Sequence, residues 1–237
     1  MAQFIDYSDV IFDAFCLHTK RKEIVERKHE IIDKIIEFYN TSAESILFVG
    51  FNPAILNSRV NEIYVTEVSD RVFDWLVNQG IAVKQFTADK KVDIVVAFDE
   101  YLTFADSENL QRQRINSLCK FANNLVITTV KDYKNQDFKD REYSQPAIIK
   151  TNKLTAFTEI HDWDQRDKNQ WTTSVYQLSG ELATNEGIYN RRTLFFKQLA
   201  KFTMDAGASN FLVHKNLMYK SLIKKNYEHV ISVHFEQ

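Results

Sequence analysis

Between Ser8 and Tyr39 the apolar residues Val10, Ile11, Phe15, Ile24, Ile31, Ile35, Ile36 and Phe38 recur at helical spacing among many charges, which predicts one long helix or two shorter ones. The pattern then changes. ESILFVGF is a short apolar run ending at Gly50, and Asn52-Pro53 follows, where Asn can cap a helix and Pro suits its first position. A buried strand therefore turns sharply into a helix or tight loop. EIYVTEVS reads as a strand, DRVFDWLVNQG as a helix closed by Gly80, and IAVKQFT and VDIVVAF as two more strands. An amphipathic helix from Asp106 to Phe121 precedes a fifth strand, NLVITTV. Strands that alternate with long helices imply parallel βαβ units, because each parallel pairing needs a crossover.

After Lys131 the alternation stops. The segment YKNQDFKDREYSQPAII is polar and irregular, and KLTAFTEI and WTTSVYQL then alternate in a way that suits a β-hairpin. We read residues 131–187 as an insertion after the fifth strand. A helix from Tyr189 to Asp205, ended by Gly207, leads to strands NFLVHK and HVISVHF on either side of a short helix near Tyr219 to Lys224. The expected organisation is an N-terminal helical segment (1–43) and one α/β domain (44–237). That domain is Rossmann-like, with a mostly parallel seven-stranded sheet and helices on both faces.

Composition narrows the function classes. The chain has 237 residues, 44% hydrophobic and 13% aromatic, enough for one large core. With 5 Gly and 2 Pro it contains no flexible linker of the usual kind. A formal charge of −2 supplies no field toward nucleic acid or an anionic membrane. The first residues carry acids where a secretory signal has a basic region, and no apolar run reaches membrane-spanning length, so a cytoplasmic protein is expected. Cys16 and Cys119 lie far apart in helical patterns and read as buried free thiols, so no metal site is expected. Triphosphatase loops, serine-hydrolase elbows and paired-histidine zinc signatures are absent from the sequence.

Three placements carry a resemblance to a family. Gly50 ends the first strand, Glu67 with Val68 ends the second, and AFDEYLTF continues the fourth. In this order of elements the chain resembles the class I S-adenosylmethionine-dependent methyltransferases over roughly Glu44 to Phe235. The resemblance implies S-adenosyl-L-methionine as cofactor, with Gly50, Phe51 and Asn52 passing its methionine part and Glu67 and Val68 at its ribose. Asp89 would lie near the adenine, and Phe98 and Asp99 would face the cofactor. A carboxylate suits the ribose because two adjacent hydroxyls can donate to it. The chain departs from the family in its first loop, VGFNPAIL, where one glycine stands in place of two or three and bulky side chains follow.

Glu100 and Tyr101, beyond the fourth strand, and His161, Trp163 and Trp171, in the insertion, are the candidate substrate contacts. Trp163, Trp171, Tyr143 and Tyr176 can stack on a planar group, which makes a small aromatic molecule or a nucleobase a candidate acceptor. The insertion itself is expected to form a partly mobile cover over the strand ends. HDWDQRDKNQW also reads as a polar hairpin tip, Arg191 and Arg192 as a solvated first helical turn, and Lys224-Lys225 as a solubilising pair. Two readings stay open: a methyltransferase, and a non-catalytic binding or assembly module descended from the same fold. An NAD-dependent oxidoreductase lacks its GxGxxG motif here.

Overall fold

The computed structural model describes residues 2–132, 141–150, 154–225 and 227–236. The N-terminal periodicity resolves into two helices, α1 (Ala2–Leu17) and α2 (Arg21–Tyr39), the second ended by Asn40 in the left-handed conformation. Then come β1 (Ser45–Val49), β2 (Glu62–Thr66), helix α3 (Asp70–Asn78), β3 (Val83–Gln85), β4 (Val92–Ala97), helix α4 (Glu108–Phe121) and β5 (Ala122–Val130). Ser69 and Ser107 cap α3 and α4 by accepting backbone N–H bonds from Val72 and Leu110. The segment after Gly50 is a short 3-10 turn, Pro53–Asn57, capped by Asn52.

Strands β1, β2, β3, β4 and β5 are parallel, and their apolar runs are almost wholly buried, as expected of a parallel sheet that is covered by helices. Helix α5 (Phe196–Asp205) leads into β11 (Asn210–Lys220), which pairs antiparallel with β12 (Tyr227–His234), and β12 pairs antiparallel with β5. The sheet order is β11-β12-β5-β4-β1-β2-β3.

The insertion is more than a hairpin. Strands β6 (Arg141–Tyr143), β7 (Ala147–Lys150), β8 (Leu154–Trp163), β9 (Gln170–Ser179) and β10 (Leu182–Arg192) form a second, antiparallel sheet in which β8 pairs with β6, β7 and β9. Much of its expected irregular start, residues 133–140, lies outside the described residues. The sequence expectation of a helix from Tyr189 is corrected to a strand through Arg192. Ile188 and Asn190 are exposed while Tyr189 and Arg191 are buried, a two-residue period that only a strand satisfies. The short helix expected near Tyr219 is likewise absent, because Met218, Tyr219 and Lys220 continue the ladder with β12. Among the described residues no helix is long and apolar enough to cross a membrane. Both cysteines are free, Cys119 buried and Cys16 half-buried.

Candidate active site

In an open parallel sheet, ligands bind outside the carboxyl ends of the strands. Three side-chain-bearing residues at these ends adopt left-handed backbone: Glu67 after β2 (φ 54°), and Asp99 and Glu100 after β4 (φ 57° and 54°). Among the described non-glycine residues Asn40, a helix cap, is the one other with positive φ. Such conformations cost of order 1–3 kcal/mol each and concentrate at functional sites. Gly50, at φ 75°, ends β1 and is anchored through its N–H to the Thr66 carbonyl at 2.8 Å.

Glu67 stands between two partners. One carboxylate oxygen accepts the Tyr101 hydroxyl at 2.7 Å. The other accepts no hydrogen bond and lies 3.9 Å from Nη1 of Arg114, itself buried and without a hydrogen bond. The two groups thus form a long buried ion pair in which each facing atom keeps its hydrogen-bonding position unfilled. Phe51 and Asn52 are buried rather than aimed outward: Phe51 packs on Phe12 and Phe15, and Asn52 accepts from Ala54 N–H at 3.0 Å. Val68 is half-buried beside Glu67. Asp89 is exposed beyond β3, its carboxyl lowered by a hydrogen bond with Thr87.

Helix α1 covers this edge. Phe4 packs edge-on against Tyr101 at 4.6 Å and Phe104 at 5.2 Å, and a carbon added at Gly50 would overlap its ring. The Ser8 hydroxyl accepts the N–H of Phe51 at 2.7 Å. Asp9 accepts from Ser69 and Asp13 takes a bidentate pair from Arg71. The backbone and glycine surface that the resemblance assigns to a cofactor is therefore occupied by the chain's own N-terminal helix.

Beyond Glu67 the edge becomes a buried ionic network. Lys224 Nζ lies 2.5 Å from Glu100, 3.4 Å from Glu159 on β8 and 3.9 Å from Glu228 on β12. Arg191 on β10 pairs with Glu100 at 3.1 Å and Glu159 at 3.2 Å, its guanidinium lying over the Tyr7 and Phe104 rings. Tyr7 of α1 donates to Glu159 at 2.8 Å, and Tyr219 of β11 donates to Asp99 at 2.7 Å. Burial opposes ionisation of Glu100, yet Lys224 and Arg191 hold it well below the usual carboxylate range; the same cations hold Glu159 down to about 2. Glu228, with Lys224 no nearer than 3.9 Å and Glu100 and Asp99 close by, is compensated less. Burial pushes it up to about 8, so at neutral pH it is largely protonated while it accepts from Thr129 at 2.5 Å. Burial also raises Asp99, one of whose oxygens has no hydrogen bond, and pushes the Lys28 ammonium down to about 8.

The insertion's candidates lie together but inward. His161 bonds Thr173 at 2.9 Å and sits 3.5 Å from Glu159, and burial pushes it down to about 4, leaving a neutral imidazole. Trp163 and Trp171 pack with ring centres 4.6 Å apart and planes tilted by 36°, as directly paired residues of β8 and β9, with Phe195 against them. Phe98 is buried on Tyr219. Glu159, Arg191, Lys224 and Glu228 are the members that sequence reading missed. Arg191 and Lys224 were each expected in solvent; both are almost fully buried. Among the described residues no group of three His, Cys, Asp or Glu is placed to hold a metal.

No protein-family model and no curated protein matches the chain. Solved structures do. The crystal structure of Streptomyces venezuelae DesVI superposes with a TM-score of 0.71 at 10% identity, covering 96% of this chain and 98% of that one. An S-adenosylmethionine-dependent methyltransferase from Clostridium acetobutylicum gives 0.64 at 8% identity over 90% and 92% of the two chains. SAM-bound CalS10, an amino pentose methyltransferase from Micromonospora echinaspora, gives 0.59 at 9% identity over 91% of each. With its sheet order, its antiparallel β12 and these superpositions, the chain has the fold of the class I S-adenosylmethionine-dependent methyltransferases.

Proposed function

We propose that the protein is an S-adenosylmethionine-dependent methyltransferase acting on a small molecule, with a cofactor cleft that helix α1 closes. The observation that carries the reading is the facing pair at the end of β2: a buried carboxylate oxygen of Glu67 and a buried guanidinium nitrogen of Arg114, 3.9 Å apart and each lacking a hydrogen bond. A ribose hydroxyl donates to the first and accepts from the second. The cofactor supplies an electrophilic methyl group. The chain's part is positioning and exclusion of water.

In this reading Glu67 and Arg114 form the floor of the cleft, and its roof opens only when Phe4 and Ser8 leave Gly50 and Phe51. We therefore assign α1 a movable role: it seals the cleft and must lift before the cofactor enters. Asp99, buried with one oxygen unengaged and raised by burial, is the group we assign to hold a proton from the acceptor nucleophile. Of the four residues considered for stacking on a planar acceptor, Trp163 and Trp171 pack on each other, while Tyr143 stays exposed.

Calorimetric titration with S-adenosylmethionine and S-adenosylhomocysteine tests this reading. Saturable binding of both, tighter in Phe4→Ala than in the unaltered chain, is expected. Absence of binding in both proteins overturns it and leaves the non-catalytic module.

A further inference from the structure

Away from the sealed cleft, a groove of about 810 Å³ runs between α2, the start of β7 and the turn joining β11 to β12. This volume lies within the usual range for small-molecule sites. Its lining combines two chemistries. Ile148, Met218 and Tyr227 leave 60%, 39% and 54% of their surface exposed there, an apolar floor without a covering element among the described residues. Around it stand basic side chains. The two acids of the lining, Glu23 and Glu30, are paired with Lys20, just before α2, and with Lys34. Arg27, Lys220 and Lys225 make no ion pair among the described residues, so the groove carries a net positive charge in a protein whose overall charge is −2.

Two features show that the groove is built rather than incidental. Between His214 and Met218 the β11–β12 ladder shifts register, and the extra residues of β11 bulge out to form its lip, with Asn216 and Leu217 in the lining. Bulges of this kind re-aim side chains and are features of a fold rather than defects. At the base lies Lys28, 5% exposed, donating to the Lys220 carbonyl and seated 3.1 Å from the centre of the Tyr219 ring.

We infer that this groove binds a small amphipathic anion, a carboxylate, sulfonate or phosphate on an apolar body. The apolar part lies on Ile148, Met218 and Tyr227, and the charge faces Arg27, Lys220 and Lys225. A neutral apolar molecule leaves these cations without a partner; a small inorganic anion leaves the apolar floor in water. The site is independent of the methyl-transfer reading, since no residue of the proposed cofactor floor lines it.

The test is a fluorescence titration of the full chain with 8-anilinonaphthalene-1-sulfonate and with its uncharged counterpart N-phenyl-1-naphthylamine. Expected is one saturable sulfonate site, at least tenfold tighter than the neutral probe and weakened by salt. Arg27→Glu with Lys225→Glu should weaken the sulfonate tenfold or more while leaving the melting temperature and the neutral probe's affinity unchanged. If that variant folds poorly, Lys220→Gln alone should weaken the sulfonate several-fold. Equal affinity for both probes, or a sulfonate site indifferent to the charge changes, overturns the inference. Cofactor calorimetry on the same variants separates the two proposals: the groove variants should bind S-adenosylmethionine as the unaltered chain does.

Discussion

The hydroxyl of Ser8 accepts the backbone N–H of Phe51, 43 residues further on, so the first helix is pinned to the loop that leaves β1. That contact ties the state of α1 to the state of the cleft. Replacing Ser8 with Ala strands a buried N–H, at a cost of about 1–3 kcal/mol. A lower melting temperature with unchanged or tighter S-adenosylmethionine binding is expected, read by thermal denaturation and calorimetry together.

Phe4→Ala goes further. The ring is 1% exposed and rests on Gly50, Tyr101 and Phe104, so truncation should cost about 3–5 kcal/mol. Part of that loss should return when S-adenosylmethionine is added, because the ligand stabilises the form it binds. A melting temperature that does not respond to saturating cofactor argues against a movable helix.

Glu67→Ala should weaken S-adenosylmethionine about tenfold or more, the loss of hydrogen bonds to a carboxylate being worth roughly 1.5–3 kcal/mol. Tyr101→Phe is the control. It removes the 2.7 Å bond to Glu67 but keeps the acid, and it should cost stability while leaving affinity within a few-fold. Isothermal titration of both variants distinguishes ligand contact from support.

Glu228 predicts a pH dependence. Burial raises its folded pKa to about 8, above the ordinary value of 4.5, so between these values the folded protein holds a proton that the unfolded chain has released. Stability from this group is present in full below pH 4.5 and declines as pH rises toward 8. Glu228→Gln keeps the neutral form at all pH. It should melt higher than the unaltered protein at pH 8 and close to it at pH 5, and equal melting curves at pH 8 contradict the assignment.

Arg191→Met should destabilise by about 3–5 kcal/mol, because Glu100 and Glu159 lose a buried partner, whereas neighbouring Arg192→Met, which loses a part-buried pair with Asp167, should cost less than 1 kcal/mol. Chemical denaturation of the two variants supplies the comparison.

The sheet was readable because its strands carry unbroken apolar runs, such as Ile94 to Ala97, bounded by capped helices. Gly50 and Glu67 were readable because strand ends announce themselves. The insertion was harder: Tyr189 and Arg191 face inward by a two-residue period that Arg192, Leu194 and Phe195 blur into a helical one. Lys224 and Glu228 were invisible for another reason. A lysine beside a lysine reads as solvated surface, and only the approach of β4, β8 and β12 supplies the carboxylates that let it stay buried. Pairings between residues far apart in sequence leave no local trace.

Strand β12 enters the sheet between β11 and β5, although β5 is made roughly a hundred residues earlier. At ordinary rates of synthesis the edge of β5 waits on the order of 5–20 s for its neighbour. Throughout that interval the growing chain shows a long, apolar, unpaired strand edge, the template for association with other chains. The protein is thus most vulnerable while it is being made, and its yield in a cell should depend more on what shields that edge on the ribosome than on the stability of the finished fold.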